Sequence, residues 1–199
     1  SMTHLLEQAE AAIKSSVNAG AHEHIVCVGT GATGAIDKLQ QIIGVALSPH
    51  TRERFKKLME ESLGAETLGR FEKSLQSNQP IVFVGPYEHH SNEISWRQSL
   101  ATVVEVGLND DGGVDLSHLE ALLKDPAYQN RVRIGSFSAA SNVTGRITPV
   151  HEIAAMLHRH GAIACFDYAA SAPYVEIDMN PAEGAYEGDA SIDAVFISP

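Results

Sequence analysis

The chain has 199 residues, 44% of them hydrophobic, which is enough for one sizeable core. Its 25 acidic residues against 14 Lys plus Arg give a formal net charge of -11, and no basic run interrupts them. Such a surface repels phosphate backbones, so a nucleic-acid partner is not expected. No apolar stretch approaches the roughly 18 residues of a membrane span, and no basic region followed by an apolar core opens the chain. Neither a membrane anchor nor a secretory leader is therefore expected, and Ser1-Met2 reads as the scar of a removed tag. Cys27 and Cys165 each sit in a short apolar run and read as buried free thiols. That usage suits a reducing compartment such as the cytoplasm.

Residues 5–17 carry helical periodicity through Leu5, Leu6, Ala9, Ala12, Ile13 and Val17, ended by Asn18-Ala19-Gly20. His24-Ile25-Val26-Cys27-Val28 reads as a short buried strand, Gly29-Thr30-Gly31 as a turn, and 32–43 as a helix. The segment 48–79 reads as a charged helical insertion with breaks at Pro49, Gly64 and Gly69. Ile81-Val82-Phe83-Val84 is a strand that delivers Tyr87-Glu88-His89-His90 into a loop, and 101–106 is the next strand. Ser117 and Glu120 have capping-box spacing at the start of a short helix that ends near Lys124, before Pro126. A strand over 131–137 runs into the polar stretch Ser138-Ala139-Ala140-Ser141-Asn142. Thr148 and Pro149 pair as N-cap and first-turn residue for a helix over 149–160. Strands over 162–166, ending at Asp167, and over 192–197 complete the pattern.

Strands alternating with helices predict an α/β fold: three layers, αβα, around a mostly parallel sheet of about six or seven strands. No linker divides the chain, so residues 1–199 read as one partial domain, with 1–19 an N-terminal helix. Polar groups recur at the carboxyl ends of strands, where open α/β sheets bind ligands.

Three groupings carry chemistry. Gly29-x-Gly31-x-x-Gly34 follows a strand and matches dinucleotide-fingerprint spacing, but no acid closes a second strand soon afterwards and no Walker lysine follows Gly34. The more economical use is one phosphate held at the helix start near Ala32 and Thr33, and a ligand-free tight turn is the alternative. In Glu88-His89-His90, adjacent histidines attract a metal reading, yet neighbours rarely both reach one ion and no HExxH or CxxC frame is present. No metal is expected. A ring at a strand end can instead stack on a planar cofactor. Asp167, delivered by an apolar strand, needs a partner: a protonated heterocyclic nitrogen, a helix cap or a core ion pair. Asn142 offers a two-sided amide that could meet a ring hydroxyl.

Taken in order, GTGATGAID at 29–37, YEHHSNEISW at 87–96, SAASNVTGRITP at 138–149, FDYAASAP at 166–173 and VFISP at 195–199 resemble one family. It is the class V aminotransferases and cysteine desulfurases, in the large domain of fold-type I pyridoxal-phosphate enzymes. The resemblance implies pyridoxal 5'-phosphate as cofactor, an amino acid as substrate and a homodimeric parent. It places Ala32, Thr33 and Ser198 at the cofactor phosphate, His89 on the ring and in proton transfer, Asn142 at the ring hydroxyl, and Asp167 on the pyridine nitrogen. His89 and Asp167 are thereby the implied catalytic pair. In the family, His-Lys commonly follows the last Ser-x pair, and that lysine bonds the cofactor aldehyde. The given sequence ends at Pro199, so the resemblance implies a piece ending just before that lysine and inactive alone. The family often places Gln or His where this chain has Ala170. Sulfur release, amino transfer and side-chain elimination all remain open. The rival reading is a non-catalytic nucleotide-binding or interaction module on the same α/β frame.

Overall fold

The computed structural model describes residues 2–198, so Ser1 of the tag-scar reading and the terminal Pro199 lie outside the described residues. The amphipathic first helix is α1 (Met2–Ser16), which ends where Asn18 turns left-handed at φ 50. It is followed by α2 (Gly31–Ile42), α3 (Pro49–Leu63), α4 (Ala65–Asn78), β1 (Ile81–Val84), α5 (His90–Gln98) and β2 (Thr102–Glu105). Beyond β2 come α6 (Leu116–Lys124), β3 (Arg133–Ser138), α7 (Val150–Arg159), β4 (Ile163–Asp167) and β5 (Ala194–Phe196).

The five strands form one sheet in the order β2-β1-β3-β4-β5, and every neighbouring pair is parallel. Alternation along β1 sets the layers. Ile81 and Phe83 enter one core with Phe137, Phe166, Leu119 and Leu123 of α6, and Ile153 and Leu157 of α7. Val82 and Val84 enter the other, with Ile36 of α2, Trp96 of α5, Ile134, Cys165 and Phe196. Period-two alternation on a sheet buried on both faces makes β1 a continuous apolar run. The result is the expected three-layer αβα arrangement, with helices on both faces.

Several local expectations are corrected. Residues 24–28 form no strand: they make no main-chain hydrogen bond to another main-chain group among the described residues. A strand requires a ladder partner, and the sheet edges β2 and β5 leave this segment without one. The sheet therefore has five described strands rather than six or seven. Cys27 is exposed for the same reason, whereas Cys165 is buried in β4 as expected, its thiol pKa raised by burial. Gly69 does not break a helix; it lies inside α4, where the only cost is glycine's weak propensity. The charged segment folds as the pair α3–α4, split at Gly64 and joined by the 2.8 Å ion pair Lys56–Glu72.

Capping also differs. The N-cap of α6 is Asp115, whose Oδ1 accepts from His118 N at 3.0 Å, so the proposed Ser117–Glu120 box lies within the helix. Thr148 does not cap α7. Its hydroxyl donates to Ser138 O at 2.6 Å, so the helix starts one residue later behind Pro149. Of the loop expected over 87–90, residues 87–89 lie in a loop, whereas His90 opens α5, a helix anchored by the fully buried Trp96.

Candidate cofactor site

At the carboxyl end of β1, the chain turns back on itself around Glu88. Its Oε1 accepts from Gly85 N (3.1 Å) and Ser138 N (3.0 Å). Its Oε2 accepts from Ser138 Oγ (2.7 Å) and Asn92 Nδ2 (2.8 Å). Asn92 Oδ1 accepts in turn from Ser136 Oγ (2.6 Å) and Trp96 Nε1 (3.2 Å). This network ties the ends of β1 and β3 to the first turn of α5. Burial pushes the Glu88 carboxyl pKa up, against the downward pull of its Ser138, Asn92 and Gly85 donors.

That anchoring places His89 as the N-cap of α5, where its Nδ1 accepts from Ser91 N at 3.3 Å and lies 2.7 Å from Ser91 Oγ. The imidazole thus replaces the usual Ser, Thr, Asp or Asn cap.

The start of α2 is built differently. Its N-cap Thr30 is left-handed at φ 64 and offers no side-chain hydrogen bond, so the first-turn N–H groups lack a capping acceptor. Such groups suit an anion. Gly31 has φ +63, and a Cβ there would stand 2.9 Å from Ser198 Oγ, the hydroxyl that follows β5. At Gly34 a Cβ would lie 2.1 Å from Gly29 O, so the turn closes onto the helix only with glycine.

Asp167 closes β4 in register with Ser138 of β3 and Phe196 of β5. It is only 5% exposed, and the one described hydrogen bond to its carboxylate is from Ala169 N to Oδ1 at 2.9 Å. Burial pushes its pKa up; the Ala169 N–H and the nearby His89 pull it down.

These pieces meet in one cavity of about 320 Å³ at the carboxyl ends of the strands. Ala32, Thr33, His89, Asn142, Asp167 and Ser198, each named from the sequence, all line it. Ser91, Ser138 and Ala170 line it too. Ser138 and Ser91 carry no individual signal in the sequence, and Glu88 reads there only as a neighbour of the histidines. The available signal was a carboxylate between a Gly-Pro turn and apolar strands, which requires several donors if enclosed. Ala170 brings a methyl group to the cavity and no hydrogen bond. No lysine lines the cavity, and no cluster of three or more metal-ligating side chains occurs among the described residues. The dinucleotide spacing at Gly29–Gly34 lacks its preceding strand, which weakens that reading.

The family profile described as aminotransferase class-V matches residues 65–183. The chain belongs to that family. It is a family of pyridoxal-phosphate-dependent enzymes acting on amino acids, close to the cysteine desulfurases. A probable cysteine desulfurase of Halalkalibacterium halodurans is 33% identical over 170 residues, 81% of this chain and 40% of that protein. One from Chlamydia muridarum is 46% identical over 92 residues, 44% of this chain and 22% of that protein. The chain thus spans well under half the length of these relatives. Among solved structures, the apo cysteine desulfurase of Thermococcus onnurineus matches with TM-score 0.62 and 19% identity, covering 89% of this chain and 36% of that one. An Escherichia coli cysteine desulfurase gives TM-score 0.62 at 22% identity, covering 89% and 37%. Both share the fold. No helix among the described residues is long and apolar enough to cross a membrane.

Proposed function

We propose that this chain supplies the cofactor-holding face of a pyridoxal-phosphate enzyme that acts on an amino acid, with cysteine desulfurase-like or aminotransferase chemistry in the whole protein. The carrying observation is the convergence of an uncapped helix start, a buried acid and a histidine on one cavity. The residues fit the group. The N–H groups near Ala32 and Thr33, the Thr33 hydroxyl and Ser198 Oγ are donors suited to a phosphate. The Gly31 position stays open because a side chain there would press on Ser198.

Asp167 is the second half of the argument. A carboxylate this buried with a single hydrogen bond is under-solvated, and a protonated ring nitrogen would restore what water provided. Asp167 thereby holds the ring cationic, the state in which the bound cofactor withdraws electrons from the substrate α-carbon. His89 presents its ring to the same cavity, in position to stack on a planar group and to exchange a proton at Nε2. Asn142 offers an amide for the ring hydroxyl. Residues 1–199 act as one unit in this reading, with the α3–α4 pair as an appended charged face.

Among the described residues no lysine lines the cavity, so in this reading these residues hold the cofactor by non-covalent contacts alone. Calorimetry with pyridoxal 5'-phosphate, NAD and ATP tests the reading. Saturable binding of pyridoxal phosphate alone is expected, with no specific, stoichiometric adduct after borohydride. Tighter binding of NAD or ATP would transfer the site to the nucleotide-module reading.

A further inference from the structure

We infer that Ser91 is a positioning residue that fixes His89 in the tautomer carrying its proton on Nε2. This rests on the reading above that His89 serves the bound cofactor, but it concerns the chain's own hydrogen bonds.

The decisive contact is from the main chain. Ser91 N can only donate, and it points at His89 Nδ1 at 3.3 Å. A proton on Nδ1 would oppose that N–H, so Nδ1 must be the acceptor nitrogen of the neutral ring. The Ser91 hydroxyl, 2.7 Å from the same atom, then donates as well. Two donors from one residue converge on one lone pair. The Nε2 atom, with no described hydrogen bond, keeps the proton and is left for exchange at the cavity.

Ser91 is itself held. Its carbonyl accepts from Ser95 Oγ at 2.6 Å, and Ser95 Oγ accepts from Gln40 Nε2 at 2.7 Å. Gln40 is 2% exposed and belongs to α2, the helix whose start faces the cavity. A series of hydrogen bonds therefore runs from buried Gln40 of α2 through the half-buried Ser95 and Ser91 of α5 to the exposed imidazole. A cap serving stability alone needs only an acceptor at this position. Here the acceptor is also a cavity-lining ring, and the capping contact decides which nitrogen can give up a proton.

Long-range proton–nitrogen correlation spectra of the whole chain, without cofactor and at pH 8, read the tautomer directly. His89→Gln assigns the His89 signals among those of the ten histidines. The wild type should show Nδ1 in the unprotonated range and Nε2 in the protonated range as a single form. Ser91→Ala keeps the main-chain donor but loses the hydroxyl, so it should shift the signature part of the way toward the other tautomer, and Ser91→Thr, which restores the hydroxyl, should recover it. The other histidine signals report whether each variant is folded. A proton on Nδ1, or an averaged pair in the wild type, would overturn the inference. An unchanged spectrum in folded Ser91→Ala would overturn the role given to the hydroxyl. Failure to bind pyridoxal phosphate would instead count against the proposed function and leave this result standing.

Discussion

Asp167 costs the unliganded chain stability that a bound cation would return. Its carboxyl holds a proton more tightly when folded than unfolded, because burial raises its pKa. Stability should therefore fall as pH rises from the ordinary carboxylate range through the raised folded value. Asp167→Asn keeps an oxygen for the Ala169 N–H and removes the charge. Denaturant unfolding at pH 7 should show the variant at least as stable as wild type, by on the order of 1 kcal/mol, while pyridoxal phosphate affinity falls at least tenfold. Glu88 shares the upward push of burial but differs in its partners, because four donors enclose it. In Glu88→Gln the new amide faces the Asn92 amide, which cannot turn over because its oxygen already serves Ser136 and Trp96. A loss of roughly 1–3 kcal/mol in the same unfolding assay is expected. Asp167 was legible because an acid closing an apolar strand is costly without a partner. The work of Glu88 was not, because two of its four donors come from Ser138, 50 positions away, and the others from its own turn and the first turn of α5.

At the scale of elements, the pattern marks the helices and the buried strands well, since β1 is a continuous apolar run and β4 is one up to Asp167. It failed where an element depends on a neighbour. The segment 24–28 has strand composition but no ladder, and caps moved by one or two positions because Asp115 and Thr148 found different partners. The six cavity residues were legible by the resemblance of ordered motifs, while the capping of α5 by His89 was not, since imidazole is an uncommon cap. Close packing of α7 on β3 gives a sharp test. A Cβ at Gly135 would fall 2.4 Å from Leu157 Cδ1 and 2.9 Å from Phe137 Cε2. Gly135→Ala should lower stability by about 1–3 kcal/mol through overpacking, read from the denaturant midpoint. By contrast α3 and α4 bury no residue, so their amides should exchange with solvent far faster than those of β3 and β4.

Across the whole molecule, the loop from β4 to β5 is tied back onto α7 by histidine. His158 Nε2 lies 2.9 Å from Asp193 Oδ2, and Asp193 also accepts from Ala164 N at 2.7 Å. Burial opposes charge on His158, yet Asp193 and Asp189 prevail and raise its pKa. The stabilisation is thus full below the ordinary histidine value and is lost as pH rises through the raised one. His158→Gln should remove that part of the pH dependence of stability. Exposed apolar side chains on α1 and α3, including Leu5, Leu6, Phe55 and Leu58, predict self-association with rising concentration, which sedimentation would measure.

The central claim is that one cavity at the strand ends holds the cofactor. Mapping main-chain amide shifts while adding pyridoxal 5'-phosphate tests it most directly. The account predicts saturable shifts concentrated at Gly31–Thr33, His89, Asn142, Asp167–Ala170 and Ser198, with inorganic phosphate reproducing only those at Gly31–Thr33 and Ser198. Shifts centred elsewhere, such as the Asp111–Arg146 loops, or none at saturating cofactor, would contradict it.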